Sequence, residues 1–357
     1  ADGTATGSDE PNTDDFQNFT AQTLTIAAGA VTNTFEFSIN NDLLDEANET
    51  VVYTIGSPTN ATLGNATQTY TITDNDPEPS CGFAIATSVI DEAEVDVNHA
   101  VTVSIDAASG KDITFDYVVA GVSAIGGGTD FTLADGSGTI TAGLTSVNLT
   151  PVIEGDALYE GNETFTITLS NINNASDGTT VHTVTIADNE TTPTIGFAAA
   201  TNNADEFTTT KSLTITLNAV SGLNATVDYS ATGGTATGGG TDYTLADGSV
   251  TINAGLDPPQ VTFDLTIVPD DLDEENETVL ITLTSPGNST LGTTQLTFTI
   301  TDDDDPPSLA FTTNSFSVSE GTTAGELTLA LSGVSGKDVT YGYTINAVTT
   351  TATGGGV

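Results

Sequence analysis

The side chains best equipped for chemistry in this sequence are carboxylates, and they arrive in runs. Asp270-Asp271-Leu272-Asp273-Glu274-Glu275-Asn276-Glu277 is one run and Asp302-Asp303-Asp304-Asp305 is another. Acidic residues number 49 against three basic ones, Lys111, Lys211 and Lys337, for a net charge of −46. Carboxylates at this density do not stay ionised at close range without a compensating cation. The chain supplies almost none, so the cation must come from solution. Hard oxygen donors without His or Cys among them suit Ca²⁺; Mg²⁺ fits less well because it seldom accepts an all-protein cage. The runs lack the spacing and the central Gly of an EF-hand. Paired carboxylates also serve glycoside hydrolysis, but these recur along the chain as structural motifs do. The same charge excludes nucleic acid, whose phosphates need Lys and Arg, and anionic membrane surfaces.

What must position these acids is an internal repeat. Pro79-Ser80-Cys81-Gly82-Phe83, Pro193-Thr194-Ile195-Gly196-Phe197 and Pro307-Ser308-Leu309-Ala310-Phe311 begin at 79, 193 and 307, a period of 114 residues (193 − 79 and 307 − 193). The same interval links Glu92, Glu206 and Glu320, then Asp42, Asp156 and Asp270, then Glu49, Glu163 and Glu277, and finally Asp74, Asp188 and Asp302. Within a repeat, apolar residues alternate with Thr: Val51, Tyr53 and Ile55 match Phe165, Ile167 and Leu169, then Val279, Ile281 and Leu283. That is the strand period with one buried face. About seven such strands per repeat, and no helical pattern, predict an all-β chain of tandem immunoglobulin-like antiparallel β-sandwiches joined end to end. The expected domains are 79–190 and 193–304 as complete repeats, 1–76 as the second half of one and 307–357 as the first half of another.

With strands lettered A to G and running alternately down and up, the A–B, C–D and E–F loops and the exit from G share one pole. In the third segment Glu206 falls in A–B, Asp242 in C–D, Asp270 to Glu277 in E–F, and Asp302 to Asp305 after G. Four separate acidic elements are thereby expected to meet in space.

Gly240-Thr241-Asp242-Tyr243, the Asp-x-x-x-Glu-x-Asn-Glu-Thr run from Asp270 to Thr278, and the closing Thr71-Ile72-Thr73-Asp74-Asn75-Asp76 resemble Calx-β domains. The resemblance spans essentially the whole chain. It implies β-sandwiches that bind Ca²⁺ at one pole, often in tandem in extracellular bacterial proteins. It implies ligands at Glu206, Asp242, Asp270, Glu274, Asp302 and Asp304 in the third segment. In the second it implies Glu92, Asp130, Asp156, Glu160 and Asp188, and in the first Asp15, Asp42, Glu46, Asp74 and Asp76. Gly155-Asp156-Ala157 and Asn189-Glu190 depart from the paired Asp of the third segment, so weaker Ca²⁺ binding is expected in the second.

Other residues read as structure. Cys81 stands where Ile195 and Leu309 stand, so it packs as a small hydrophobe, and one Cys forms no internal disulfide framework. His99 and His182 have no His or Cys partner at metal or triad spacing. Gly126-Gly127-Gly128, Gly238-Gly239-Gly240 and Gly354-Gly355-Gly356 are followed by neither Lys nor a helix, unlike phosphate loops, and read as flexible loop before the calcium Asp. Sequons at Asn18, Asn60, Asn148, Asn224 and Asn288 arise readily in a Thr-rich chain. No apolar run reaches a membrane span, and the start at Ala1-Asp2-Gly3 reads as a mature form or an excerpt. Pro in Asp76-Pro77-Glu78-Pro79 and Asp304-Asp305-Pro306-Pro307 restricts the linkers to extended shapes, so ions at the junctions would stiffen a rod.

Together these readings predict a non-enzymatic extracellular or cell-surface protein, a filament or adhesin stalk. Its expected partners are neighbouring repeats or identical subunits in a fibre: one very long polypeptide is the favoured form, and the alternative is many chains whose half-domains, residues 307–357 on residues 1–76 of a neighbour, complete one another head to tail. A module recognising a carbohydrate or protein partner is the alternative; the extra residues Asp9-Glu10-Pro11-Asn12 are the one insertion that would favour it.

Overall fold

The computed structural model describes residues 5, 7–8, 15–17, 21–319, 321 and 325–344. The Asp9–Asn12 stretch, Asn18, Glu320 and the Thr351–Gly356 segment lie outside the described residues. Every regular element among the described residues is a β-strand. The chain divides into two units, residues 1–157 with 161–189, and residues 158–160 with 190–357.

In the second unit the complete repeat is two five-stranded sheets. One runs Tyr243–Thr244, Gln260–Ile267, Thr210–Leu217, Thr194–Phe197, Thr290–Leu291. The other runs Thr201–Asp205, Gln295–Thr301, Glu277–Gly287, Ala225–Gly234, Gly248–Ile252. The alternation read from the sequence turns inward as expected: Leu213, Ile215, Val279, Ile281, Leu283, Phe298 and Ile300 are buried, while the intervening Thr lie toward solvent. Tyr229 stacks on Phe263 with ring centroids 4.0 Å apart. Phe298 is fully buried, and its truncation to Ala would cost about 3–5 kcal/mol.

The first strand changes sheets midway, which the sequence pattern did not foretell. Thr194–Phe197 pairs antiparallel with Thr210–Leu217. After Ala198-Ala199-Ala200, Thr201–Asp205 pairs parallel with Gln295–Thr301 in the opposite sheet. The first unit repeats the move: Ser80–Phe83 pairs with Val101–Ile105, and Thr87–Asp91 pairs parallel with Val181–Ala187. The crossing delivers Glu92 and Glu206 beside the last strand. The Glu92 amide donates to Ala187 O at 2.8 Å and the Glu206 amide to Thr301 O at 2.9 Å.

The first unit's complete repeat has a five-stranded sheet, Gly136–Ile140, Ile113–Gly121, Glu163–Asn173, Val181–Ala187, Thr87–Asp91, facing Ser146–Leu149, Val101–Ile105, Ser80–Phe83 and Ser176–Asp177. Cys81 is fully buried, and burial pushes its thiol up. His182 is buried with Nδ1 2.8 Å from Ile85 O; its Nε2 and that of His99 each lie 2.8 Å from Ser88 Oγ. The histidines are thus core and edge residues with partners in hand.

The partial repeats leave apolar residues open. Leu327 is 66% exposed where its equivalent Leu213 is 0% exposed. Ile26 and Ile39 are exposed where Ile140 and Ile153 are buried.

Candidate metal centre

The acids of the third repeat come together as the loop assignment required. The Gly238-Gly239-Gly240 run is shaped rather than slack: Gly239 and Gly240 take φ of 80° and 96°, a region Gly enters without steric cost. This turn brings Asp242 back so that its Oδ2 accepts from the Thr237 amide. The first unit builds the same turn, with Gly127 and Gly128 at φ 87° and 94° and the Ile125 amide donating to Asp130 Oδ2 at 2.5 Å.

Two carboxylate groupings result in the third repeat. Glu206, Asp303 and Asp304 bring ligand oxygens within 4.8 Å of one another, and so do Asp242, Glu274 and Glu277. A small polar cavity lined by Glu206, Asp242, Glu274, Glu277 and Asp302 joins them. Asp270 has a different task. Its amide donates to Glu206 Oε1 at 3.3 Å, and its own Oδ1 caps the Leu272 amide at 2.8 Å. Asp302 Oδ1 and Asp304 Oδ2 are buried without a hydrogen-bond partner. Buried anionic oxygens left in this state are costly, and a hard divalent cation is the group their chemistry fits.

The electrostatics agree. Burial, and then the charge of Asp270, raises Glu206 to about 7. Burial raises Glu277 to about 7, followed by a hydrogen bond with Asp242 that requires a shared proton when no cation is present. Glu274 is raised by burial and by Asp270, Asp242 and Asp302. Lys337 offers partial relief, reaching Asp302 Oδ2 at 3.4 Å.

The first segment assembles Asp15, Asp42, Glu46 and Asp74. Burial, then these three aspartates, raises Glu46. The Glu46 and Asp76 amides donate to Asp74 at 3.2 and 3.3 Å. Burial and a hydrogen bond with Asp15 raise Glu49 to about 7. In the second segment, Glu92 and Asp130 are buried. Within the first unit, Glu92 brings an oxygen within 4.8 Å of Asp156 and of Asp188, as Asp130 does to Glu163. Glu160 belongs to the second unit.

Two kinds of residue escaped the sequence reading. Glu49, Glu163 and Glu277 each meet the C–D aspartate of their own repeat; their 114-residue recurrence was the available signal. Asn48, Asn162 and Asn276 hold the strand G aspartates, their Oδ1 atoms accepting from the amides of Asp74, Asp188 and Asp302 at 3.1, 3.2 and 3.1 Å.

Against known proteins, the Calx-beta domain family model matches residues 1–76, 74–190, 188–304 and 302–356. No curated protein is matched. Among solved structures the chain is similar to CBD12 from CALX1.2, at 17% identity over 62% of this chain and 99% of that one, with a TM-score of 0.30. It is also similar to the apo-form Calx CBD1 domain, at 24% identity over 32% of this chain and 100% of that one, with a TM-score of 0.30.

Proposed function

Since this chain belongs to the Calx-beta domain family along its length, we propose that it is a calcium-rigidified structural segment of an extracellular filament or adhesin stalk, without catalytic activity of its own. The observation that carries the reading is the pair of buried, partnerless carboxylate oxygens on Asp302, which lines the cavity with Glu206, Asp242, Glu274 and Glu277, and on Asp304, which lies beside Glu206 and Asp303. Ca²⁺ held there supplies the charge that three lysines in the whole chain do not. The proposed ligand set is the one expected from the sequence, with Glu277 and Asp303 added and Asp270 acting through its hydrogen bond to Glu206. The second segment is the weaker binder.

The junction placement gives the ion a mechanical role. The acids of strand G lead directly into Asp304-Asp305-Pro306-Pro307, where Pro already limits the backbone. Neutralising the acids removes repulsion at the point where one repeat hands over to the next. The exposed Leu327, Ile26 and Ile39 favour neighbours of the same kind, because the complementary half of a repeat is the surface that buries their equivalents. No helix of the described residues is long and apolar enough to cross a membrane.

Electron microscopy and small-angle scattering, in Ca²⁺ and in EDTA, test the proposal. Stiff particles with a domain repeat that soften in EDTA are expected. Dimensions indifferent to EDTA, with no Ca²⁺ uptake by calorimetry, would overturn it.

A further inference from the structure

Among the described residues, the buried charged side chains are Asp45, Glu92, Asp130, Glu206 and Asp273. Three belong to the acidic poles. Asp45 and Asp273 lie at the edge of theirs, and each faces a serine, the buried Ser109 or the half-buried Ser335, in the B–C loop of the following repeat.

The contact is the same backbone motif three times. Asp45, Tyr159 and Asp273 occupy one repeat position, at the tip of the E–F loop, and form parallel bridges to Ser109, Ser221 and Ser335. The next amide, of Gly110, Gly222 or Gly336, donates to the carbonyl of the tip residue at 2.9, 3.0 or 3.0 Å. The serine Oγ accepts from the amide of the residue after the glycine, Lys111, Leu223 or Lys337, at 3.1 Å each time. Space beside the glycine is tight, and a larger residue would push the neighbouring Glu side chain aside. A Cβ on Gly110 would meet the Glu46 side chain at 2.8 Å, and one on Gly336 would meet that of Glu274 at 2.7 Å.

On this constant backbone the side chains change as a pair. Where the tip is Asp45, Lys111 reaches it at 2.6 Å; where it is Asp273, Lys337 reaches it at 2.7 Å. Where the tip is Tyr159, the lysine position holds Leu223, and both residues are half-buried. Two of the chain's three lysines therefore serve this loop contact, Lys337 while also reaching Asp302 Oδ2 at 3.4 Å. Crossing the sets would leave a nearly buried Asp facing Leu, or a Lys facing Tyr, and an uncompensated buried charge is strongly unfavourable.

We propose that this contact is a pairing code between successive repeats, in which the tip residue and the residue after Ser-Gly select each other, Asp with Lys and Tyr with Leu. A repeat then docks stably on the covalent neighbour that carries the matching side chain, and a mismatched pair leaves the contact open.

Hydrogen exchange of the Gly110 and Gly222 amides in the full chain reports the latch directly. Lys111→Leu, Asp45→Tyr, Tyr159→Asp and Leu223→Lys should each speed exchange at the local glycine on the order of tenfold, within the range for directly contacting pairs. The matched doubles, Asp45→Tyr with Lys111→Leu and Tyr159→Asp with Leu223→Lys, should return it to within about threefold of the parent chain. Singles without effect, or doubles as fast as the summed singles, would overturn the code. A second test needs no variant. In the parent chain, 1 M NaCl should speed exchange at Gly110 and Gly336 and leave Gly222 unchanged, because salt screens only the ionic latches. An equal response at all three glycines would refute the proposal as well.

Discussion

Replacing Glu206 with Gln should stabilise the metal-free protein at alkaline pH while weakening its response to calcium. Glu206 is 6% exposed and lies against Asp270, with Glu274 and Asp304 adding to the negative field. Folding moves its carboxyl from 4.5 to about 7, which corresponds to about 3 kcal/mol. Water at the open side of the cluster trims this to about 1–2 kcal/mol. The sign follows from proton linkage. The folded state binds more protons than the unfolded one between these two values, so the contribution of Glu206 is fully present below pH 4.5. It is lost as pH rises through about 7. Glu206→Gln removes the titration yet keeps an acceptor for the Asp270 amide, which donates to Oε1 at 3.3 Å. The assay is urea denaturation in EDTA at pH 4 and pH 8, followed by hydrogen exchange over residues 277–301 to isolate the third repeat. The variant should match the parent at pH 4 and exceed it by about 1–2 kcal/mol at pH 8. Adding Ca²⁺ should stabilise the parent more than the variant, by the mass-action difference between their affinities. Equal stability of the two proteins at pH 8 in EDTA would refute the electrostatic reasoning.

Three other outcomes follow. Binding of Ca²⁺ near pH 7 should release protons, because Glu206 and Glu277 titrate at about 7 without the ion; calorimetry in buffers of different ionisation enthalpy measures the number. Asn276→Ala should weaken Ca²⁺ binding on the order of tenfold by freeing the Asp302 amide it caps, with the melting temperature in EDTA lowered only modestly. Cys81 should resist a thiol reagent until the repeat unfolds, since it is fully buried with its thiol pushed up; modification at the rate of a free thiol in native buffer would contradict the packing.

The repeat and its strands were legible because both are written in linear sequence. A period of 114 needs only counting, and the alternation of Val279, Ile281 and Leu283 is local. The acidic pole was legible for a related reason: strand alternation sends every second loop to the same end. What stayed hidden depends on geometry that a linear pattern does not encode. The move of the first strand between sheets lies in Ala198-Ala199-Ala200, which as a sequence is three small residues and nothing more. The capping role of Asn276 needs the end of strand G to lie over the E–F loop. Glu277 looked like the start of a strand because it is one; it shares the face of Val279 and Ile281, and only the folded C–D loop shows that Asp242 arrives beside it. Asp45 and Asp273 were submerged in acidic runs. Nothing in the sequence says that, among so many solvated carboxylates, these two are buried against the serine of another repeat.

The parallel pairing of Thr201–Asp205 with Gln295–Thr301 has a consequence under load. Both strands run in the same direction, one at the entry to the repeat and the other at its exit, with five residue pairs in register. Tension applied through the chain ends pulls these two strands lengthwise past each other. Their hydrogen bonds, evenly spaced in a parallel ladder, are then strained together and must fail together, instead of opening one at a time from an end. Thr87–Asp91 and Val181–Ala187 repeat the arrangement, also over five pairs. Each complete repeat is thereby clamped where a stretched chain would pull hardest, and its resistance to extension is set by how slowly that clamp breaks.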